Sequence, residues 1–324
     1  MYGAGAVGGS LAARLQRVGA GVSVIARGAH GAAIRRSGLT LIAGDDRVVV
    51  RVKCVEVPGE LEAQDVVVVA VKSTQLPAIA TTLGSLLTPA TRVVFAMNGI
   101  PWWFGDGLAV ALPDALVAAL DPDARLRRAI DLDRIIGAVV YSSNEVVAPG
   151  VIRNSTPDRN RMILGKPDGG NDAVLDAMVD LLSHAGYDAT ATPSIRQALW
   201  TKMLIVVGAS PVAALTGAAL DQLVADESSL ALMTALMQEG DAIGRRLGFA
   251  TPDDIGRRLA FYRDQPVRPS LLQDFEAGRE PELDGGILAF AAIAAAAGVR
   301  VPVMDLVATL VRMKAVAMGS RARS

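Results

Sequence analysis

The sequence predicts an α/β fold over its first half and an all-helical fold over its second half. Three features support this prediction: a glycine-rich turn within the first nine residues, continuous apolar runs in the first half, and helical periodicity from about residue 171 onward. Continuous apolar runs are typical of parallel strands buried on both faces, whereas a helix repeats its apolar positions every three or four residues. With 324 residues the chain is long enough for two domains, which we place at 1–167 and 168–324.

The glycine-rich turn contains Gly3, Gly5 and Gly8, which match the pattern G-x-G-x-x-G. In a dinucleotide-binding turn, the first glycine permits the turn and the second lets the backbone approach a pyrophosphate. The third lets the following helix lie close to the sheet. The phosphates bind at the helix N-terminus, so Ala6 and Val7 join the predicted cofactor contacts. The match alone is equally compatible with a simple tight turn.

The residues around this turn favour a Rossmann-type domain, although the first strand is short. An apolar helical pattern follows the turn, and the apolar run 22–26 reads as the next strand. Only Met1 and Tyr2 precede the motif, so either upstream residues are missing or the first strand is truncated. A shortened central strand is expected to weaken the sheet and the phosphate site together.

The end of the next strand carries a basic residue where many NAD-binding folds carry an acidic one. An acidic side chain at this point holds the ribose 2′-hydroxyl of NAD, but this chain has Arg27. A guanidinium can pair with a 2′-phosphate through charge-assisted hydrogen bonds, so Arg27 favours NADP as the cofactor. The alternative interpretation is a solvated surface arginine.

Polar side chains also follow two later apolar runs of the first half. Lys72 and Gln75 come after the run 65–71, and Asn98 comes after the run 92–97. Ligands of open α/β sheets bind beyond the carboxyl ends of the strands, so these side chains lie at the expected cofactor edge. Asn98 before a glycine is also typical of a turn residue.

The composition argues against several classes of function. The net charge of −1 argues against a broad nucleic-acid-binding surface, and the one cysteine, Cys54, cannot form an internal disulfide. The longest small-apolar run, 287–299, is too short to span a bilayer. Because the glycine turn begins at once, we expect no signal peptide and a soluble cytoplasmic protein without a membrane partner. We assign no metal ligands.

Helical periodicity dominates the second half, and one lysine there requires an explanation. Lys202 lies within the apolar helical pattern 195–209. It either extends its amine to water or is buried for a functional reason, in which case desolvation lowers its pKa and makes it suitable as a proton donor.

Residues 101–130 show no strong pattern and are predicted to form a loop with a short helix. Thr251 before Pro252 predicts the start of a later helix.

Taken together, these segments resemble the ketopantoate reductase (2-dehydropantoate 2-reductase) family along almost the whole chain. The matching pieces occur in the family's order and spacing: Gly3-x-Gly5-x-x-Gly8, Val71-Lys72-x-x-Gln75, Asn98-Gly99, Trp200-x-Lys202 with Ser210-Pro211 downstream, Pro269-Ser270-Leu-Leu-Gln-Asp274, Glu282-Leu-Asp284 and Gly298-Val-Arg-Val-Pro302. The resemblance implies an NADP-binding Rossmann-like domain followed by a helical domain for substrate binding and dimerisation.

The resemblance also implies catalytic roles for three residues. Lys202 would be the general acid that protonates the ketone oxygen as hydride arrives from NADPH, and its charge would stabilise the developing alkoxide. Asn98 would orient this lysine and the substrate. Glu282 would bind the substrate hydroxyl and help to hold the lysine, although on pattern alone it is an acidic residue that complements a helix dipole.

Binding roles follow in the same way. Ser270 would bind the substrate carboxylate, Ser210 would lie in the substrate pocket, and Lys72 and Gln75 would line the nicotinamide end of the cofactor.

Three positions depart from the family pattern, because Val206, Ser210 and Ile287 stand where asparagine is usual. Loss of these amides changes the substrate pocket, so three functions stay open. The first is NADPH-dependent reduction of ketopantoate or a similar 2-keto acid. The second is binding of NADP(H) without turnover, as a sensor or scaffold, and the third is reduction of a different carbonyl or imine. Alanine-rich helical faces are compatible with a homodimer.

Overall fold

The computed structural model describes residues 1–250 and 254–321, with side chains described as far as residue 319. Its strands are β1 (Ser23–Ile25), β2 (Leu39–Ala43), β3 (Asp46–Val50), β4 (Lys53–Val55), β5 (Val66–Val69), β6 (Arg92–Phe95), β7 (Ile135–Tyr141), β8 (Asn144–Ala148), β9 (Val151–Asn154), β10 (Arg161–Gly165) and β11 (Asp188–Ala191). Its α-helices are α1 (Ala6–Arg17), α2 (Gly28–Ser37), α3 (Leu76–Leu83), α4 (Asp114–Leu120), α5 (Arg125–Ala129), α6 (Ala173–His184), α7 (Ile195–Thr216), α8 (Leu220–Ala225), α9 (Glu227–Arg246), α10 (Ile255–Ala260), α11 (Ser270–Glu276), α12 (Ile287–Ala297) and α13 (Pro302–Arg321). The predicted fold class is confirmed.

The central sheet consists of two pieces that Tyr2 joins. One piece is the parallel pair β1 and β4, and the other has the order β11-β10-β7-β6-β5. Tyr2 makes parallel bridges to Ile25 and to Val69. Its N–H donates to the carbonyl of Val68 at 2.7 Å, and its carbonyl accepts from the N–H of Ala70 at 2.9 Å. The short first strand is therefore a single bridging residue, and hydrogen bonds cross the sheet through it.

Helix α1 lies between this sheet and a second one, with the order β3-β2-β9-β8. Leu11 and Leu15 pack into the core of the central sheet, whereas Ala12 and Ala13 pack against the second sheet. A Cβ added at Gly9 would lie 2.8 Å from Cγ1 of Ile152, so the second sheet needs small residues on this face of the helix. The glycine and alanine content of α1 thus allows it to be buried on both sides.

Contacts between Cα atoms divide the chain into two compact units. Unit 1 is Met1–Asn98 with Asp121–Ala198, and unit 2 is Gly99–Leu120 with Leu199–Ser324. Unit 1 extends beyond residue 167 because β11 pairs with β10 and α6 packs against β11. This division differs from the boundary that we predicted after residue 167.

Unit 2 has helices and loops but no strand among its described residues, and an aromatic cluster forms part of its core. The indole of Trp200 stacks on Phe290 with ring centroids 4.0 Å apart, and its Nε1–H donates to the carbonyl of Gly240. Phe104, from the segment without a sequence pattern, stacks on Trp200 from 5.9 Å. This segment therefore contributes to a core rather than to a surface loop.

Two further sequence expectations concern individual helices. Helix α7 is long and apolar enough to cross a membrane. However, 61% of its most apolar 18-residue stretch is buried within the protein, as in the core helix of a soluble protein. The helix start predicted at Thr251 and Pro252 lies outside the described residues. Helix α10 has Asp254 as its N-cap, whose side chain accepts from the N–H of Gly256.

Candidate active site

The three glycines of the first turn have three different surroundings. Gly3 has a φ of +94°, and a Cβ there would lie 2.8 Å from Cγ1 of Val71. A Cβ at Gly8 would lie well under 3.0 Å from the carbonyl oxygen of Gly3, so the helix meets the turn without room for a side chain. A Cβ at Gly5, in contrast, would meet nothing within 4 Å.

This turn fits the pyrophosphate of a dinucleotide. Gly5 is the N-cap of α1, and no side chain of the described residues caps the helix there. The open space at Gly5 therefore adjoins the N–H groups of the first helical turn, including those of Ala6 and Val7. Such N–H groups, together with the helix dipole, favour a bound anion.

His30 holds the turn in place, a contact that the sequence analysis did not identify. The N–H of Gly150 donates to Nδ1 of His30 at 3.1 Å, so Nδ1 carries no proton. The proton is then on Nε2, which donates to the carbonyl of Ala4 at 2.8 Å. A neutral imidazole thus joins the glycine turn to the turn between β8 and β9. No sequence signal marks this contact, because 120 positions separate His30 from Gly150.

Arg27 lies at the end of the strand that neighbours the glycine turn. It is exposed, lies two residues after the end of β1 and is the N-cap of α2. Among the described residues no carboxylate pairs with it, whereas nearby Arg35 pairs with Glu56 at 2.6 Å. The guanidinium of Arg27 is therefore available for a 2′-phosphate.

Lys72, Gln75 and Asn98 lie at the carboxyl edge of the central sheet. Lys72 is partly buried and precedes a short 3-10 turn after β5, at whose end Gln75 is exposed. Asn98 is exposed and follows β6, the parallel neighbour of β5. Because Gly3 lies against the end of β5, the structure brings the glycine turn and these loops to one edge of unit 1.

In unit 2, helix α7 carries Lys202 on the side away from the aromatic core. Trp200 is completely buried, and a residue two positions later points in roughly the opposite direction on a helix. Lys202 is partly buried, and burial lowers the pKa of its amine from 10.5 to about 8. Val206 and Ser210 follow at intervals of four residues and so share its face, with Ser210 buried.

Glu282 and Ser270 lie on a loop and at a helix start of unit 2, respectively. Glu282 is partly buried between α11 and α12, and Ser270 is the exposed first residue of α11. Within unit 2, the N–H of Ile100 donates at 2.7 Å to the carbonyl of Gly285, so the segment that begins at Gly99 is hydrogen-bonded to the loop that holds Glu282.

The close approach of these two loops depends on glycine, and the nearby Ile287 is buried rather than exposed to them. A Cβ at Gly99 would lie 3.0 Å from the carbonyl oxygen of Gly285. Ile287, one of the three departures, is 3% exposed and is therefore a core residue of α12. Among the described residues, no group of three His, Cys, Asp or Glu side chains is placed to hold a metal ion.

Comparison with known proteins assigns both halves of the chain to one family. Residues 1–169 match the family model "Ketopantoate reductase PanE/ApbA", and residues 194–315 match "Ketopantoate reductase PanE/ApbA C terminal". A 2-dehydropantoate 2-reductase from Mesorhizobium japonicum is 36% identical over 98% of each chain.

Solved structures agree with this assignment. A crystal structure from Ralstonia solanacearum, of a protein assigned to the ketopantoate reductases, superposes with a TM-score of 0.89 at 35% identity. It covers 98% of this chain and 97% of that one. A dimeric ketopantoate reductase from Staphylococcus aureus has the same fold, with a TM-score of 0.74 at 18% identity over 98% of each chain. The chain therefore belongs to the ketopantoate reductase family, as the sequence resemblance predicted.

Proposed function

We propose that this protein reduces ketopantoate, or a similar 2-keto acid, to the 2-hydroxy acid with NADPH as the reductant. The observation that carries the proposal is Lys202, an amine on the helical unit whose pKa burial lowers to about 8. Family membership and the open glycine turn support it. A soluble enzyme that draws on NADPH fits the cytoplasm, which is where we place it.

The first unit provides the residues that bind the cofactor. The turn formed by Gly3, Gly5 and Gly8 receives the pyrophosphate at the N-terminus of α1, with the N–H groups of Ala6 and Val7 as donors. Arg27 pairs with the 2′-phosphate, which is the group that distinguishes NADPH from NADH. Lys72 and Gln75 line the nicotinamide end. When bound, NADPH supplies the hydride.

Lys202 donates the proton that completes the reduction. With a pKa of about 8, roughly nine-tenths of its amine is charged at pH 7, and the group is far more acidic than an ordinary lysine. Its charge stabilises the oxyanion as it forms, and its proton is then transferred to that oxygen. Asn98 orients the ammonium group and the ketone, Glu282 holds the ammonium group and the substrate hydroxyl, and Ser270 binds the substrate carboxylate.

The substrate pocket differs from the usual one beside this lysine. Val206 lies one helical turn after Lys202 on the same face, where the family usually carries an amide, and Ser210 lies one turn further. A methyl-bearing surface there accepts a less polar substrate chain than an amide does. We therefore include 2-keto acids other than ketopantoate in the proposal.

The test is NADPH oxidation with a panel of 2-keto acids headed by ketopantoate. We expect turnover with at least one of them and its loss in Lys202→Ala, while titration shows that the variant still binds NADPH. Lys314→Ala is the matched control, since Lys314 is another partly buried lysine of unit 2. Its turnover should match that of the wild type.

Three outcomes would contradict this function. NADPH binding without turnover on the whole panel would favour a sensor, and turnover of an imine alone would favour the third function considered above. Wild-type rates in Lys202→Ala would show that another group supplies the proton.

We also propose that the protein forms a homodimer through helix α13. Leu306, Leu310, Met313 and Val316 are 62%, 43%, 62% and 69% exposed and follow one another at helical spacing. An exposed apolar stripe of this kind is typical of a protein–protein contact. Light scattering should show a dimer for the wild type and for the control Gln238→Asp, an exposed position on α9, and a monomer for Leu310→Asp. A monomeric wild type would contradict the proposal.

A further inference from the structure

Unit 1 contains a cavity of about 340 Å³ at the end of α1 remote from the glycine turn. Its walls come from the last turns of α1, from the hairpin of β2 and β3, and from the turn after α6. Helix α1 has 12 residues and is therefore about 18 Å long, so the cavity is separate from the nucleotide-binding end. Nothing in the proposed reaction uses it.

Arg14 is one of the polar residues that line this cavity, with Arg17, Asp46 and His184. Its Cζ lies 5.6 Å from the ring centroid of Tyr187, and Gly186 leaves room for it, since a Cβ there would lie 3.2 Å from Nη1. Its Nε is buried without a hydrogen-bond acceptor, and no carboxylate among the described residues pairs with the guanidinium. Arg14 as a whole is only partly buried, and because it lines the cavity without a carboxylate partner among the described residues, an anion that enters the cavity can pair with its guanidinium.

The other lining residues narrow the chemistry of that anion. Arg17 also lines the cavity, but it is exposed and already paired with Asp46 at 3.0 Å. The remaining walls are largely apolar, with Leu41 and Val48 on the hairpin side. A planar guanidinium beside apolar walls fits a flat carboxylate joined to an apolar body better than it fits a compact, fully hydrated ion.

The dipole of α1 does not account for Arg14. Basic residues in the last turn of a helix complement its negative end, and Arg17, the last residue of α1, is suited to this role. That interaction is weak and operates through solvent, so it does not require an enclosed Nε. The helix dipole therefore does not account for an arginine that lines the cavity without a carboxylate partner, whereas a ligand anion does.

We propose that this cavity binds a small apolar carboxylate, whose carboxylate group pairs with Arg14 and whose body lies against Leu41 and Val48.

His184 provides a local readout for the test, because it lines the cavity and the chain has only one other histidine, His30 at the glycine turn. The imidazole NMR signals of the full chain are recorded while benzoate is added, with benzamide as the uncharged analogue. We expect benzoate to shift the His184 signal saturably while the His30 signal stays unchanged, and benzamide to shift neither. Saturating NADPH should leave this result unaltered.

Variants of the two arginines complete the test. Arg14→Leu should weaken benzoate binding at least about tenfold, since it removes a charge-assisted pair of hydrogen bonds. Arg17→Leu is the matched control and should weaken it less, because Arg17 already has a partner. If Arg14→Leu fails to fold, Arg14→Lys keeps the charge without the planar fork and should still reduce affinity. The proposal is overturned if benzoate does not shift His184, if benzamide shifts it equally, or if the folded Arg14 variant binds benzoate as the wild type does.

Discussion

Substitution by alanine should mainly reduce stability at Gly8 and mainly weaken cofactor binding at Gly5. At Gly8 the new methyl group meets the carbonyl oxygen of Gly3, a backbone atom that cannot rotate away. Gly3 is itself fixed, since its N–H donates to the carbonyl of Ile25 at 3.2 Å. Overpacking against such a site costs about 1–3 kcal/mol, and we expect the upper end because the obstacle is backbone. For a unit of this size, that loss lowers Tm by about 6–12 °C.

At Gly5 the same methyl group enters open space. Gly5 has a φ of −66°, which alanine adopts without strain, and nothing lies within 4 Å of the new atom. Alanine is a poorer N-cap than glycine, but it also lowers the entropy of the unfolded chain, so stability should change by less than about 1 kcal/mol. If this space admits the pyrophosphate, the methyl group should weaken NADPH binding at least about tenfold, which is about 1.4 kcal/mol.

The assay pairs thermal unfolding of the cofactor-free protein with NADPH titration. Gly5→Ala should unfold near the wild-type Tm and bind NADPH poorly, whereas Gly8→Ala should already unfold early without cofactor. Wild-type NADPH affinity in Gly5→Ala would refute the placement of the pyrophosphate, and a wild-type Tm in Gly8→Ala would refute the close packing of α1 against the turn.

Four further predictions concern charge and hydrogen bonding. Turnover should fall as pH rises through about 8, where Lys202 loses its proton, and a pH profile of kcat measures this. The pKa of Lys202 is lower in the folded protein than its value of 10.5 in the unfolded chain, so the unfolded chain binds more protons between pH 8 and 10.5. The contribution of Lys202 to the free energy of unfolding should therefore increase as pH rises through this range. Chemical denaturation at several pH values measures this increase, and Lys202→Met should abolish it. Arg27→Ala should weaken NADPH binding about tenfold or more and leave NADH binding nearly unchanged; an equal loss for both would exclude contact with the 2′-phosphate. His30→Ala should weaken NADPH binding by loosening the glycine turn, and His30→Gln should restore part of it, since an amide also carries one donor and one acceptor; identical affinities in the two variants would argue against a positioning role.

The features that could be predicted from sequence are those that one short segment specifies. The spacing of Gly3, Gly5 and Gly8 predicts a turn and helix because each glycine acts within a few residues of the others. The position of Asn98 directly after an apolar run likewise places it at a sheet edge, whatever the rest of the fold does. The residue roles that we took from the family resemblance remain predictions.

What could not be predicted depends on contacts between distant segments. The bonds from His30 to Ala4 and Gly150, and the contact between Gly99 and Gly285, exist only once the chain has folded. The segment that holds Phe104 has no periodicity, because its residues fill a space that α7 shapes rather than following a helix or strand of their own. The same dependence on pairing explains why unit 1 continues past the turn-rich sequence at 167–170.

The stacking of Trp200 on Phe290 has a consequence for the chemistry expected two residues away. The stacked indole fixes the rotation of α7 about its own axis, and this rotation determines the direction in which Lys202 points. A twist of the helix by about 10° moves atoms at its outer radius by about 1 Å, and a misplacement of that size can slow a reaction about a hundredfold. The aromatic cluster therefore fixes the orientation of Lys202, and Phe290→Leu should reduce turnover by more than its loss of stability alone explains.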